Sequence, residues 1–92
     1  MLELSAVQKD ALKKRIRRVC CAMARKMGMT AAFTSTGIRI AQGPVAYVFD
    51  LKWNHLSNMW DLYHGNTWLA GRGQSYPNTI MHVVNHGVPH GN

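Results

Sequence analysis

SAVQKDALKKRIRRVCCAMARKMG, residues 5–28, holds eight of the eleven basic residues in a chain of 92. It reads as one helix. Ser5 suits the N-cap, and Gln8 stands three places on, the spacing at which cap and third-residue side chains each bond the other's backbone N–H. Met27-Gly28 is the stop, because glycine enters the left-handed conformation that ends many helices. No proline interrupts the interval. At about 3.6 residues per turn, Leu12, Ile16, Val19, Cys20, Met23 and Met27 fall on one stripe at steps of three and four, and that stripe should face a core. Lys14, Arg18 and Arg25 fall on the opposite side, with Arg15, Arg17 and Lys26 on the flanks.

Asp10 is the one acid in the helix, and it can pair with Lys14 at i,i+4. The other cations have no acid nearby in sequence. Like charges at these spacings repel, so the cluster costs stability unless a counter-charge comes from outside. A solvated polar face is the ordinary reading of a lysine- and arginine-rich side. One acid against eight bases favours an anion-binding face instead. The whole chain carries +7 with four acids, Glu3, Asp10, Asp50 and Asp61. That balance suits nucleic acid, a ribonucleoprotein or an acidic protein surface. A membrane surface fits less well, because the helix has no tryptophan or phenylalanine to insert.

The length is that of a single domain, residues 1–92, able to bury a modest core. Hydrophobic content of 47% is ordinary for a globular chain, so a disordered tail is excluded. No apolar run approaches a membrane span, and no apolar leader precedes the first charges, so a cytoplasmic protein is expected. Cys20 and Cys21 are adjacent, and helical neighbours point too far apart for an ordinary disulfide. Cys20 lies on the apolar stripe. Cys21 lies among Arg17, Arg18 and Arg25 and is expected to be a surface thiol.

Beyond the helix the period changes. Ala31, Phe33 and Ser35 alternate with Ala32, Thr34 and Thr36 as a short strand. Ser35-Thr36-Gly37 is a turn, Ile38–Ala41 a second strand, and Gln42-Gly43-Pro44 a second turn. Val45, Tyr47, Phe49, Leu51 and Trp53 then alternate with smaller or polar residues in the clearest strand, whose aromatic side should meet the helix. After a polar loop, Met59–Tyr63 and Thr67–Ala70 bracket His64-Gly65-Asn66 as a hairpin in which Tyr63 and Trp68 can pair. Gly71–Ser75 is a loop presenting Arg72. Pro77 fits the first turn of a short helix with Ile80, Val83 and Val84 on its apolar face, ended by Gly87 and Pro89. The expected class is α+β: a long N-terminal helix on an antiparallel sheet of three to five strands, then a short C-terminal helix.

His82 and His86, four apart, can point to one side of that helix as zinc ligands do. No glutamate follows His82 as in a zincin motif, no CxxC pair exists, and His90 is beyond the helix end, so no metal site is expected. Four scattered acids and the lack of a phosphate-cradling glycine motif argue against an enzyme. A nucleic-acid reading has more behind it. Arginine makes bidentate phosphate contacts, and Trp60, Tyr63, Trp68 and Tyr76 are candidates for stacking on unpaired bases. Lys14, Arg17, Arg18, Arg25 and Arg72 are the expected contacts.

The length, the single-domain plan and the hairpin WDLYHGNTWLA at residues 60–70 look like small phage-encoded proteins. The whole chain resembles a type I-F anti-CRISPR protein, one of the inhibitors that dock on an RNA-guided surveillance complex. Many such inhibitors are acidic DNA mimics, and this chain departs from them in its charge. The resemblance implies a protein without enzymatic activity or cofactor, acting in the host bacterial cytoplasm. Its partner would be the complex of Cas proteins and crRNA, touched at the RNA or at acidic Cas surfaces so that target DNA cannot hybridise. A regulator that binds DNA or RNA on its own is the alternative.

Overall fold

The computed structural model describes residues 3–88 as helix α1 (Ala6–Lys26), strands β1 (Thr30–Phe33), β2 (Gly37–Gln42), β3 (Val45–Asn54), β4 (Met59–His64) and β5 (Thr67–Ala70), and helix α2 (Tyr76–His86). The expected α+β order is present, with five strands. They form one antiparallel meander in the order β1-β2-β3-β4-β5. Local chemistry sets the boundaries. Ser5 Oγ accepts from the Gln8 N–H at 3.2 Å, and Gln8 Oε1 accepts from the Ser5 N–H at 2.9 Å, completing the capping box. Gly28, at φ 84°, turns the chain out of α1 and into β1. Ser75 caps α2 by accepting from the Asn78 N–H at 3.3 Å, with proline in the first turn.

Both helices cover the same face of the sheet. Ile38 and Ile40 of β2, Phe49 and Leu51 of β3, Leu62 of β4 and Ala70 of β5 meet Ile16, Cys20, Cys21 and Ala24 of α1 and Ile80 and Val83 of α2 in one buried cluster. Direct cross-strand pairing of Ile38 with Phe49 and of Leu51 with Leu62 puts these side chains on one side of the pleat. Fully burying a side chain of Phe49's size stabilises by roughly 1.5–3 kcal/mol. The apolar side of β3 faces the helix as expected, strongly at Phe49 and Leu51 and partly at Tyr47 and Trp53, while Val45 is exposed.

Pleating sends the alternate residues to the other side. Arg39, Val48, Asp50, Lys52, Asp61, Tyr63 and Trp68 occupy it, and no helix of the described residues packs there. A bulge between Leu62 and Tyr63 lets β5 pair Ala70 with Leu62 and Trp68 with Tyr63. One face of the sheet therefore makes the core; the other carries no helix over Arg39, Val48 and Lys52, although Asp61 on it is buried at 7% exposure.

The inner face of α1 is not the stripe read from its spacing. Val19 and Met27 are half exposed, whereas Cys21 is only 1% exposed and Ala24 fully buried. The helix is rotated so that its Cys21 side lies against β1. The small side chains of Cys21 and Ala24 permit that close approach, which a valine or methionine would obstruct. Cys21 is thus a core residue and not the surface thiol that its arginine neighbours suggested.

Candidate functional site

The rotation of α1 decides which cations are free to meet a partner. Every acid already has an internal one. Glu3 sits 3.3 Å from Lys9 Nζ and accepts from Trp53 Nε1 at 2.8 Å; these two contacts, the tryptophan first, hold its carboxyl below the usual range. Asp10 pairs with Lys14 at 3.2 Å, Asp50 accepts from the Thr36 hydroxyl at 2.5 Å, and buried Asp61 accepts from Asn54 Nδ2 at 3.0 Å. No carboxylate is left over for the remaining bases.

Several of the expected contact residues are used inside the fold. Arg17 is half-buried; its Nη1 donates to the Thr34 carbonyl at 2.9 Å, and its guanidinium lies 4.6 Å from the Phe33 ring centre. Arg25 Nη2 donates to the Ala31 carbonyl at 2.8 Å. Both therefore brace strand β1, the edge of the sheet. Arg72 Nη1 donates to the Ser57 carbonyl at 3.1 Å, tying the β5–α2 loop to the β3–β4 turn. Lys14 is shared with Asp10. Arg25 and Arg72 remain exposed and keep donors for a partner. Lys9 and Lys13 lie over the Trp53 and Trp60 rings, each 4.9 Å from the centre.

Arg15, Arg18, Lys26 and Arg39 are exposed and, among the described residues, have no internal partner. Arg15, Arg18 and Lys26 share the outward side of α1 with Lys14, Arg25 and the small residues Ala11 and Ala22. Over about 22 Å of helix, from Ala11 to Lys26, this side offers cations with alanine gaps that let a backbone approach. Sequence spacing put Arg15 and Lys26 on the flanks; only the rotation brings them to the front.

The aromatic candidates separate as well. Tyr76 is buried, its hydroxyl donating to the Trp60 carbonyl at 2.6 Å, and burial pushes its pKa up to about 12. Trp60 is half-buried and donates Nε1 to the Lys9 carbonyl at 2.8 Å. Those two are structural and not the free stacking rings expected of them. Tyr63 and Trp68 stand opposite each other in the β4–β5 register on the outer sheet face, but among the described residues their rings make no contact with each other, so the expected aromatic pair does not form. His82 and His86 are exposed with ring centres 4.7 Å apart, and His90 lies outside the described residues. Among the described residues no three histidine, cysteine or acidic side chains are placed to hold a metal ion. No described helix is long and apolar enough to cross a membrane. Comparison with known proteins finds no matching family, no similar curated protein and no similar solved structure.

Proposed function

We propose that the chain is a non-enzymatic protein that binds the phosphate backbone of a nucleic acid through the outward side of α1. The observation that supports this reading is the accounting of charge. All four acids are engaged internally, and Arg15, Arg18 and Lys26 stand together with no carboxylate to meet them. Such a helix side is stabilised by somebody else's anions, and phosphates supply them at regular spacing. The setting we propose is the crRNA of a type I-F surveillance complex, where the bound protein would obstruct pairing of target DNA with the guide. A regulator acting on free DNA or RNA would use the same side and differs in needing no Cas protein.

Reversing two of the uncompensated cations, Arg15→Glu with Arg18→Glu, tests the reading. The pair makes no hydrogen bond or ion pair within the described fold, so stability should hold while affinity for RNA falls by about tenfold or more. The slope of log affinity against log salt should flatten by roughly 0.7–0.9 for each phosphate that is no longer neutralised. Unchanged affinity in a folded double variant would remove this side from the mechanism. Gel shifts with free RNA, with the surveillance complex, and with complex plus target DNA separate the settings: the inhibitor binds the loaded complex and blocks hybridisation, the regulator binds free strands.

A further inference from the structure

The sheet has a second side that the phosphate reading does not use. Trp68 is 49% exposed there, next to its cross-strand partner Tyr63. Its indole passes close to Gly71: a Cβ there would lie 3.3 Å from Trp68 Cζ2, a tight contact, and 2.6 Å from Asp61 Oδ1, so the missing side chain chiefly makes room for the Asp61 carboxylate. Lys52 Nζ lies 4.3 Å from the Tyr63 ring centre, which covers one face of the tyrosine and leaves Trp68 as the open ring. Two strands from Tyr63, Arg39, without an internal partner, stands opposite exposed Val48. The acids on this side are subdued. Asp61 is 7% exposed and bonded to Asn54, and Asp50 is half-buried and bonded to Thr36. Two cations accessible to solvent accompany an indole with a free face.

We propose that the outer sheet face binds unpaired bases of single-stranded RNA, with a base stacked on Trp68 and phosphates of the same strand met by Lys52 and, farther across the sheet, by Arg39. The inference rests on the nucleic-acid reading above and adds what part of the molecule is read. Duplex bases are stacked on one another and cannot cover an indole; single-stranded bases can, whatever their sequence. The partner is RNA and not an acidic protein because a half-exposed indole and two cations spread across one sheet face match a strand of planar rings linked by phosphates.

The test is fluorescence anisotropy of the intact chain with a short uridine oligonucleotide and with a short RNA duplex. Trp68→Ala should weaken oligonucleotide binding by about tenfold and leave duplex binding unchanged, and Trp68→Phe should retain most of the affinity. In Trp53→Phe/Trp60→Phe, Trp68 is the sole tryptophan, and its emission should be quenched at saturation by the oligonucleotide and not by the duplex. Unchanged oligonucleotide affinity in folded Trp68→Ala, equal losses on both ligands, or unquenched Trp68 emission would each overturn the inference. No affinity of the intact chain for the oligonucleotide overturns it outright. Absence of duplex binding counts instead against the α1 reading, and the oligonucleotide series then stands or falls on Trp68 alone.

Discussion

Cys20 and Cys21 are each 1% exposed, shoulder to shoulder on the inner side of α1. Burial pushes the Cys20 thiol up to about 12, aided by Cys21, and burial also raises Cys21 against the opposing pull of Arg25 and Arg17. Neither is a thiolate near neutral pH, so neither is a nucleophile there. Alkylation by iodoacetamide should follow global unfolding, rising with urea in step with loss of helix; fast labelling of the native chain would contradict the burial. The same shift has a pH sign. The folded state holds the Cys20 proton more tightly than the unfolded state, whose reference value is 9.0. This stability is fully present below that value and is lost as pH rises toward the folded value, at about 1.4 kcal/mol per unit. The urea midpoint of the native chain should fall over that window more steeply than that of Cys20→Ala. Cys20 was legible in the sequence as a core residue from its place on the stripe. Cys21 was not, because its charged neighbours along the chain say nothing about which strand will lie against it.

At the scale of elements, α1 divides its cations between bracing the fold and standing free for the proposed partner. Arg17 and Arg25, two turns apart with Cys21 between them, run along the β1 edge; Arg25 donates to the Ala31 carbonyl of β1 and Arg17 to the Thr34 carbonyl just past its end. Occupying the Ala31 acceptor of the edge strand also helps to blunt it against pairing with another chain. Arg17 Nε is buried without a partner, so that side chain combines a favourable charged hydrogen bond with an unfavourable orphan. Arg17→Met keeps the packing on Phe33 and removes both. It should therefore cost only about 1 kcal/mol in urea unfolding, less than the loss of a charged hydrogen bond alone. Arg18→Met should cost less than about 0.5 kcal/mol yet weaken RNA binding more than Arg17→Met does. A reversed ranking of the two affinities would show that Arg17 leaves the strand to meet the ligand. The capping box, the β4–β5 hairpin and the order of elements could all be read beforehand, since each depends on residues close in sequence. The rotation of α1 depends on where β1 returns after Gly28, a tertiary fact, and it separated the expected RNA-binding cations into braces and free groups.

Across the whole molecule the two candidate surfaces are back to back. Helices cover one side of the sheet and Trp68 lies on the other, in a body whose shortest extent is 20 Å. Substitutions on opposite sides of such a body share no partner, and sites more than about 7–10 Å apart usually act independently. Effects on single-stranded RNA should therefore add in the logarithm of affinity when Arg15→Glu/Arg18→Glu is combined with Trp68→Ala. The salt dependence should divide differently. Phosphate contacts on α1 release counterions, so the double reversal flattens the slope; stacking on an indole releases none, so Trp68→Ala lowers affinity while leaving the slope in place. Affinities of the four proteins measured over a salt series decide it. A flattened slope in Trp68→Ala would mean that the indole merely positions Lys52 and Arg39. A combined loss well short of the sum would mean that the two sides are coupled, so that losing one already undoes part of the other's contact.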